Sequence, residues 1–360
     1  MKKFLSLVLA LVMTMSLVTV SAGAKDFTDA SKITYDEAVA VMSAAKVIDG
    51  YAEGDFRPTN TLTRGAAAKI ICNLILGPTT ASALVADAAP YKDVPTTNTF
   101  AGYIAYCAKE GIISGYADGT FRPANTLTGY AFMKMLLGAL GYDANIEGYV
   151  GANWSINVAK QAINIGLNDS LEGDFNGVKA VNREEACLYA FNTLKSDLVE
   201  YETIVSTTIN GQNVNIGNSI AKARTFQNSA TRHTNIKKDN IIQFAEQYFT
   251  KLELTEDIDV FGRPDREWEF EGKDIGTYVN YDLLVEEYTE KVTGLDLYTL
   301  LGKSTVEDYK TTIYIDGITD RDVDKVEDSK VADINKNNKA KFGATIRKGK
   351  AILQKELDSG

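Results

Sequence analysis

Arg64 and Arg183 each stand one residue past a helix-capping residue, Thr63 and Asn182. A helix start presents unpaired N–H groups and the positive end of the helix dipole, a setting that suits an anion. A guanidinium beside it adds a planar fork that matches a carboxylate. Thr128 caps a third such helix, but Gly129 follows where the arginine would stand. Ahead of two of these helices runs a loop with the same polar residues. Gly50, Glu53, Gly54 and Arg57 appear in the first, and Gly115, Asp118, Gly119 and Arg122 in the second. The glycines let the backbone turn through positive φ. This pattern suits the holding of an acidic group, without bond cleavage.

Each residue also has a plainer reading. The glycines serve the turn. Thr63, Thr128 and Asn182 are caps. Arg57 and Arg122, which precede Pro58 and Pro123, brace the loop, and Glu53 and Asp118 bond either the loop or a ligand hydroxyl. Enzyme chemistry has thinner support. His233 is the only histidine, which removes histidine triads and histidine metal sites. Glu267 and Glu269 flank Trp268 like paired acids, but alternation on a strand sends both to one solvated face. Asp333, Asn335 and Asn337 have the spacing of a calcium loop, yet Asn338 replaces its glycine and Ala344 its closing glutamate.

The elements that position these residues are repeats. Residues 48–63 and 113–128 are identical at twelve of sixteen positions, at an offset of 65. A weaker third copy follows, in which Gly173, Phe175, Val181 and Asn182 align with Gly119, Phe121, Leu127 and Thr128. Apolar-periodic stretches flank each copy, so the unit is helix, loop, helix. First helices are expected over about 35–45 and 100–109. Second helices are expected from Arg64 to about Leu76, ending at Gly77-Pro78, from Thr128 to about Leu140, and from Asn182 with Glu185 completing a capping box. One such unit cannot bury its apolar face alone, so the three share a core.

Phe27-Thr-Asp29 and Tyr91-Lys-Asp93 opening the units, the Gly-Tyr-x-Asp/Glu-Gly-x-Phe-Arg-Pro loops and Leu62-Thr63-Arg64 together resemble the S-layer homology (SLH) family over about residues 27–195. The resemblance implies a pseudo-threefold bundle with grooves between units. It also implies binding of a secondary cell-wall polysaccharide attached to peptidoglycan, often one carrying a pyruvate ketal on an amino sugar. In that setting Arg64 and Arg183 would hold the ketal carboxylate, and the glycines would admit a sugar to the backbone. Tyr35, Phe100 and Trp154 would offer faces to a sugar ring or fill a core. The sequence departs from the pattern at Gly129 and at Asp169-Ser170 and Asn176-Gly177, which replace the Gly-Tyr and Arg-Pro of the third loop. The order of binding expected is therefore repeat one, then repeat three, with repeat two weak.

The net charge is −10 over 360 residues. Residues 25–195 carry 14 Lys+Arg against 18 Asp+Glu, and residues 196–360 carry 22 against 30. No basic stripe exists to suit nucleic acid. Met1-Lys2-Lys3, an apolar run over 4–20 and Ala22-Gly23-Ala24 read as a signal peptide with the mature chain from Lys25, an uncleaved anchor being the alternative. No later stretch is apolar enough to span a membrane. Cys72, Cys107 and Cys187 lie far apart and read as small core residues, with one chance pair the alternative.

Beyond residue 198 the pattern turns to strands. Residues 203–209 and 212–216 flank Asn210-Gly211, and 311–315 is followed by Asp316-Gly317 and Ile318, so two hairpins are expected. Residues 239–250 and 295–301 suggest helices, and 321–341 a charged loop. The fold class expected is α+β, with an all-α module of three helix-loop-helix repeats before a β-rich region. Its parts are a signal peptide (1–24), repeat one (25–78), a linker (79–90), repeat two (91–142), repeat three (143–198) and a region of unassigned family (199–360). The function expected is non-covalent wall anchoring without catalysis, metal or cofactor. A wall-anchored glycan hydrolase and a self-assembling surface-layer subunit are the alternatives, each with its activity in 199–360.

Overall fold

A computed structural model describes residues 27–201, 205–209, 212–216, 220–228, 232–258, 263–281, 283–287, 312–315, 318–322 and 342–347. The signal peptide, the helix expected at 295–301, the stretch from 323 to 341 with its calcium-like spacing, and both hairpin turns lie outside the described residues.

Helices and small antiparallel sheets make an α+β fold. Three helix pairs come first. They are α1 (Asp36–Ala44) with α2 (Arg64–Ser82), α3 (Ala101–Lys109) with α4 (Gly129–Leu140), and α5 (Trp154–Asn164) with α6 (Arg183–Lys195). Gly77, at φ 74° and ψ 154°, breaks α2 where Gly77-Pro78 was expected to end it, and a further turn follows to Ser82. Thr63 and Thr128 accept from the N–H of Ala66 and Ala131. Asn182 and Glu185 form the full capping box. The three caps hold as read, each stabilising its helix by about 1 kcal/mol.

The principal helix contacts run between pairs: α2 packs on α3, α4 on α5, and α6 on α1. The segments entering the second helices close a triangle of backbone hydrogen bonds. Leu62 N–H donates to Val181 O (2.9 Å), Leu127 N–H to Leu62 O (3.0 Å) and Val181 N–H to Leu127 O (2.9 Å). Their side chains are buried at this junction. Each such aliphatic contributes roughly 1.5–3 kcal/mol relative to exposure.

The described chain divides into two compact units, residues to Glu253 with Trp268–Gly276, and Leu254–Glu267 with Thr277 onward. The first unit therefore runs past residue 198. It holds β1 (Val199–Glu200) paired with β4 (Lys222–Ala223), the hairpin of β2 (Val205–Ile209) and β3 (Gln212–Ile216), and α7 (Phe244–Tyr248), which packs on α6 and α2. This helix is much shorter than the 239–250 expected. Ile241 pairs with Thr225, and Ile242 N–H donates to Arg224 O, so extended backbone wins over helix there.

Strands β5 (Leu252–Ile258), β6 (Pro264–Phe270) and β7 (Lys273–Val279) form a three-stranded sheet. In β6, Glu267 and Glu269 are exposed while Trp268 is fully buried, the alternation read from sequence. Trp268 meets Phe191 edge-on at 5.3 Å, and its Nε1–H donates to Glu37 Oε1 at 2.7 Å. In the second unit β8 (Leu284–Glu287), β9 (Thr312–Ile315), β10 (Ile318–Asp322) and β11 (Phe342–Arg347) form a sheet in the order β10-β9-β11-β8. No described helix is long and apolar enough to cross a membrane.

Candidate functional site

The two glycine-rich loops are held from behind by the acids that open their repeats. Asp29 accepts from the N–H of Phe56 (2.7 Å) and Arg57 (2.8 Å), and Asp93 from Phe121 and Arg122 (both 2.7 Å). Burial opposes the charge on both acids, but these backbone donors outweigh it and lower both pKa values. Sequence reasoning used the two acids only as markers. Their spacing of 28 and 29 residues to the arginine was the available signal.

Arg57 and Arg122 sit at φ 57° and 60° and brace their own loops. Arg57 bonds Glu53 (3.0 Å) and Asp55 (2.7 Å), and Arg122 bonds Asp118 (2.9 Å) and Thr120 (3.2 Å). The glycines divide. Gly54 (φ 85°) and Gly119 (φ 81°) supply the left-handed turn. Gly50 and Gly115 do not, contrary to expectation. A Cβ at Gly50 would meet Phe27 Cε1 at 2.4 Å, and one at Gly115 would meet Tyr91 Cε1 at 2.3 Å, so close packing is what these two positions require.

The helix starts are already satisfied by protein. Arg64 and Gly65 N–H donate to Asn125 O and Pro123 O (both 2.9 Å), and Arg183 and Glu184 N–H to Asn60 O and Pro58 O (2.9 and 3.1 Å). Gly129 and Tyr130 N–H likewise donate to Lys179 O and Gly177 O. Those amides tie each helix to a loop ahead of a different helix pair's second helix, so they are engaged by protein and do not face an anion.

The arginine side chains follow the same rule and cross between repeats. Arg64 Nε and Nη2 donate to Phe121 O (2.8 Å) and Ser114 O (3.1 Å) in the repeat-two loop. Arg183 makes the matching pair to Phe56 O (2.9 Å) and Asp49 O (2.8 Å) in the repeat-one loop. Each also lies over a loop tyrosine, Arg64 on Tyr116 at 5.1 Å and Arg183 on Tyr51 at 4.7 Å. Burial pulls both guanidinium pKa values down. Among the described residues neither has a carboxylate at ion-pair distance, and two of five N–H donors are used.

The expected ranking had assigned each arginine to the groove of its own repeat. Arg64 serves the repeat-two loop, so the groove expected to be weak is the one that holds it. Gly129 faces the loop ahead of α6 instead, where a Cβ would meet Gly177 Cα at 3.2 Å and Phe175 Cε2 at 3.3 Å. Tyr130, edge-on to Phe175 at 5.7 Å, occupies that junction. A side chain at 129 would therefore press on the Gly177 backbone.

The repeat-two groove encloses about 510 Å³. Arg64, Gly115, Tyr116, Thr128, Lys134, Tyr149 and Trp154 are among the residues that line it, and no acidic residue does. Lys134 Nζ lies 5.7 Å from the centre of the Trp154 ring, and burial lowers its pKa. Tyr149 is 2% exposed, and its hydroxyl has no hydrogen-bond partner among the described residues. Thus the structure gathers Arg64, Gly115, Thr128 and Trp154 into one cavity. Arg183, Thr63, Asn182 and Gly50 lie at other junctions, and Glu53, Asp118, Arg57 and Arg122 are spent within the loops. Sequence reasoning missed Lys134 and Tyr149. Lys69 and Lys134 recur at the repeat offset of 65, which would have flagged the first. Nothing local marks the second. Phe100 packs on Gly65, and Tyr35 OH accepts from Glu172 N–H, so these two aromatics lie outside the groove that Trp154 lines.

Comparison with known proteins follows the same lines. The chain is 29% identical over 167 residues to a surface layer protein of Brevibacillus choshinensis, covering 44% of this chain and 15% of that one. It is 26% identical over 204 residues to a middle cell wall protein of Brevibacillus brevis, covering 56% and 19%. It is 36% identical over 84 residues to a cellulosome-anchoring protein of Acetivibrio thermocellus, covering 23% and 19%. The chain thus spans less than a fifth of the length of each of these relatives. These likenesses support a secreted location at the cell surface, associated with the wall. The S-layer homology domain is the family whose profile the sequence matches, at residues 26–68 and 90–129.

Proposed function

We propose that this chain anchors a secreted surface protein to the bacterial cell wall, without catalysis, by gripping a pyruvylated secondary cell-wall polysaccharide. The observation that carries this reading is the repeat-two groove. In a chain of net charge −10 it gathers two cations and no acid, with an indole face and an unpartnered phenol beside them. A sugar carboxylate seated between Arg64 and Lys134 would neutralise a half-buried cation, and the ring would lie against Trp154. The three helix pairs act as three repeats in a pseudo-threefold bundle, and the hydrogen-bond triangle Leu62–Val181–Leu127 supports that arrangement. Residues 143–198 are the third repeat, in which Asn182 and Arg183 repeat the cap and clamp of Thr63 and Arg64.

Lys134→Gln in the full chain tests the reading, by co-sedimentation with purified walls before and after removal of the secondary polymer. A charge pair at 4 Å amounts to about 4 kcal/mol at an effective dielectric of about 20. Desolvation and screening leave about 1–2 kcal/mol, or roughly 5–30-fold weaker binding. Variant binding equal to the parent protein's, or parent binding that survives removal of the polymer, refutes it. A second reading, a self-assembling surface-layer subunit, is favoured by the surface layer protein among the relatives. Ordered two-dimensional arrays of purified protein would establish it.

A further inference from the structure

The wall-binding groove leaves two thiols unused. Cys72 in α2 and Cys107 in α3 are fully buried, and their sulfurs lie 3.5 Å apart. An S–S bond needs about 2.05 Å, so the two sulfurs must close about 1.5 Å to form one. Cys187 is buried too, but its Sγ is directed at Ala38 O, so it serves as an internal control. An exported chain meets an oxidising milieu in which apposed thiols pair.

We propose that Cys72 and Cys107 form a disulfide in the mature protein, a covalent staple between the second helix of repeat one and the first helix of repeat two. One thiolate attacks a small-molecule disulfide and expels one thiol, leaving a mixed disulfide on the protein. The second thiolate then displaces the other small thiol. The protein loses two electrons and two protons, and the small disulfide is reduced to two thiols. The hydrogen bond to Cys107 and burial raise the pKa of the Cys72 thiol in the folded protein.

The staple bears on the groove. Arg64 opens α2, and the carbonyl of Cys107 accepts from the N–H of Ile112 and Ile113, both of which line the cavity. Pinning one helix to the other fixes the reach of Arg64 to its carbonyl partners.

The full reduced chain is refolded in a buffer of oxidised and reduced glutathione, alkylated under denaturing conditions and weighed. The expected result is one adduct, on Cys187, a linked Cys72–Cys107 peptide, and a higher melting temperature than the dithiothreitol-treated sample. Cys187→Ser should keep the link and lose the remaining adduct. Three adducts, a link through Cys187, or a melting temperature unmoved by reduction would each overturn the staple.

Discussion

Arg64→Lys separates the two roles that the structure gives Arg64. Lysine keeps the positive charge in the groove but has no planar fork. It cannot hold Phe121 O at 2.8 Å and Ser114 O at 3.1 Å together, as the guanidinium does. Each such charge-assisted bond contributes about 1.5–3 kcal/mol net. The side chain is half-buried, and water will take up part of the freed carbonyls, so a total loss of about 2–3 kcal/mol is expected. For a unit of this size a kcal/mol moves the melting point by about 2–4 °C, so the midpoint should fall by about 4–12 °C. Wall binding, measured well below the midpoint, should fall less than in Lys134→Gln, because the charge remains. Differential scanning calorimetry alongside wall co-sedimentation reads both. A variant that melts like the parent protein while losing wall binding would show that the arginine is a ligand contact alone and that the clamp reasoning is wrong.

Acid should loosen the glycine loops before the helices. Asp118 is held at a pKa of about 2 by the Thr120 hydroxyl and N–H and by Arg122. Asp29 and Asp93 are lowered as well. Since these folded values lie below the unfolded value of about 3.9, their stabilisation is full above that pH and is lost as pH falls through each folded value, which for Asp118 is about 2. Hydrogen exchange of the Phe56, Arg57, Phe121 and Arg122 amides between pH 4.5 and 2.5 should speed up relative to the α4 core, and uniform exchange would contradict this. Trp268→Ala should destabilise the first unit by about 3–5 kcal/mol, since the indole is fully buried and bonded to Glu37. A urea midpoint unchanged from the parent protein's would mean that β6 is not part of that core.

Much of this fold is readable in one dimension because its signals are short-range. The caps Thr63, Thr128 and Asn182, the break at Gly77 and the in-out alternation about Trp268 depend on neighbours a few residues away, and a repeat at an offset of 65 announces itself. The helix expected over 239–250 shows the limit. Its residues have helical character, but Ile241 and Ile242 find strand partners at Thr225 and Arg224, distant in sequence.

The site divides in the same way. The types and positions of Arg64 and Arg183 are plain in the sequence, along with their likeness to a carboxylate-binding pair. The loop each reaches is not. A side chain that crosses a repeat boundary has its destination set by which pair packs on which, and only the ring of α2 on α3, α4 on α5 and α6 on α1 decides that. Packing alone sends Arg64 to the groove of the next repeat and brings Lys134, Tyr149 and Trp154 to meet it.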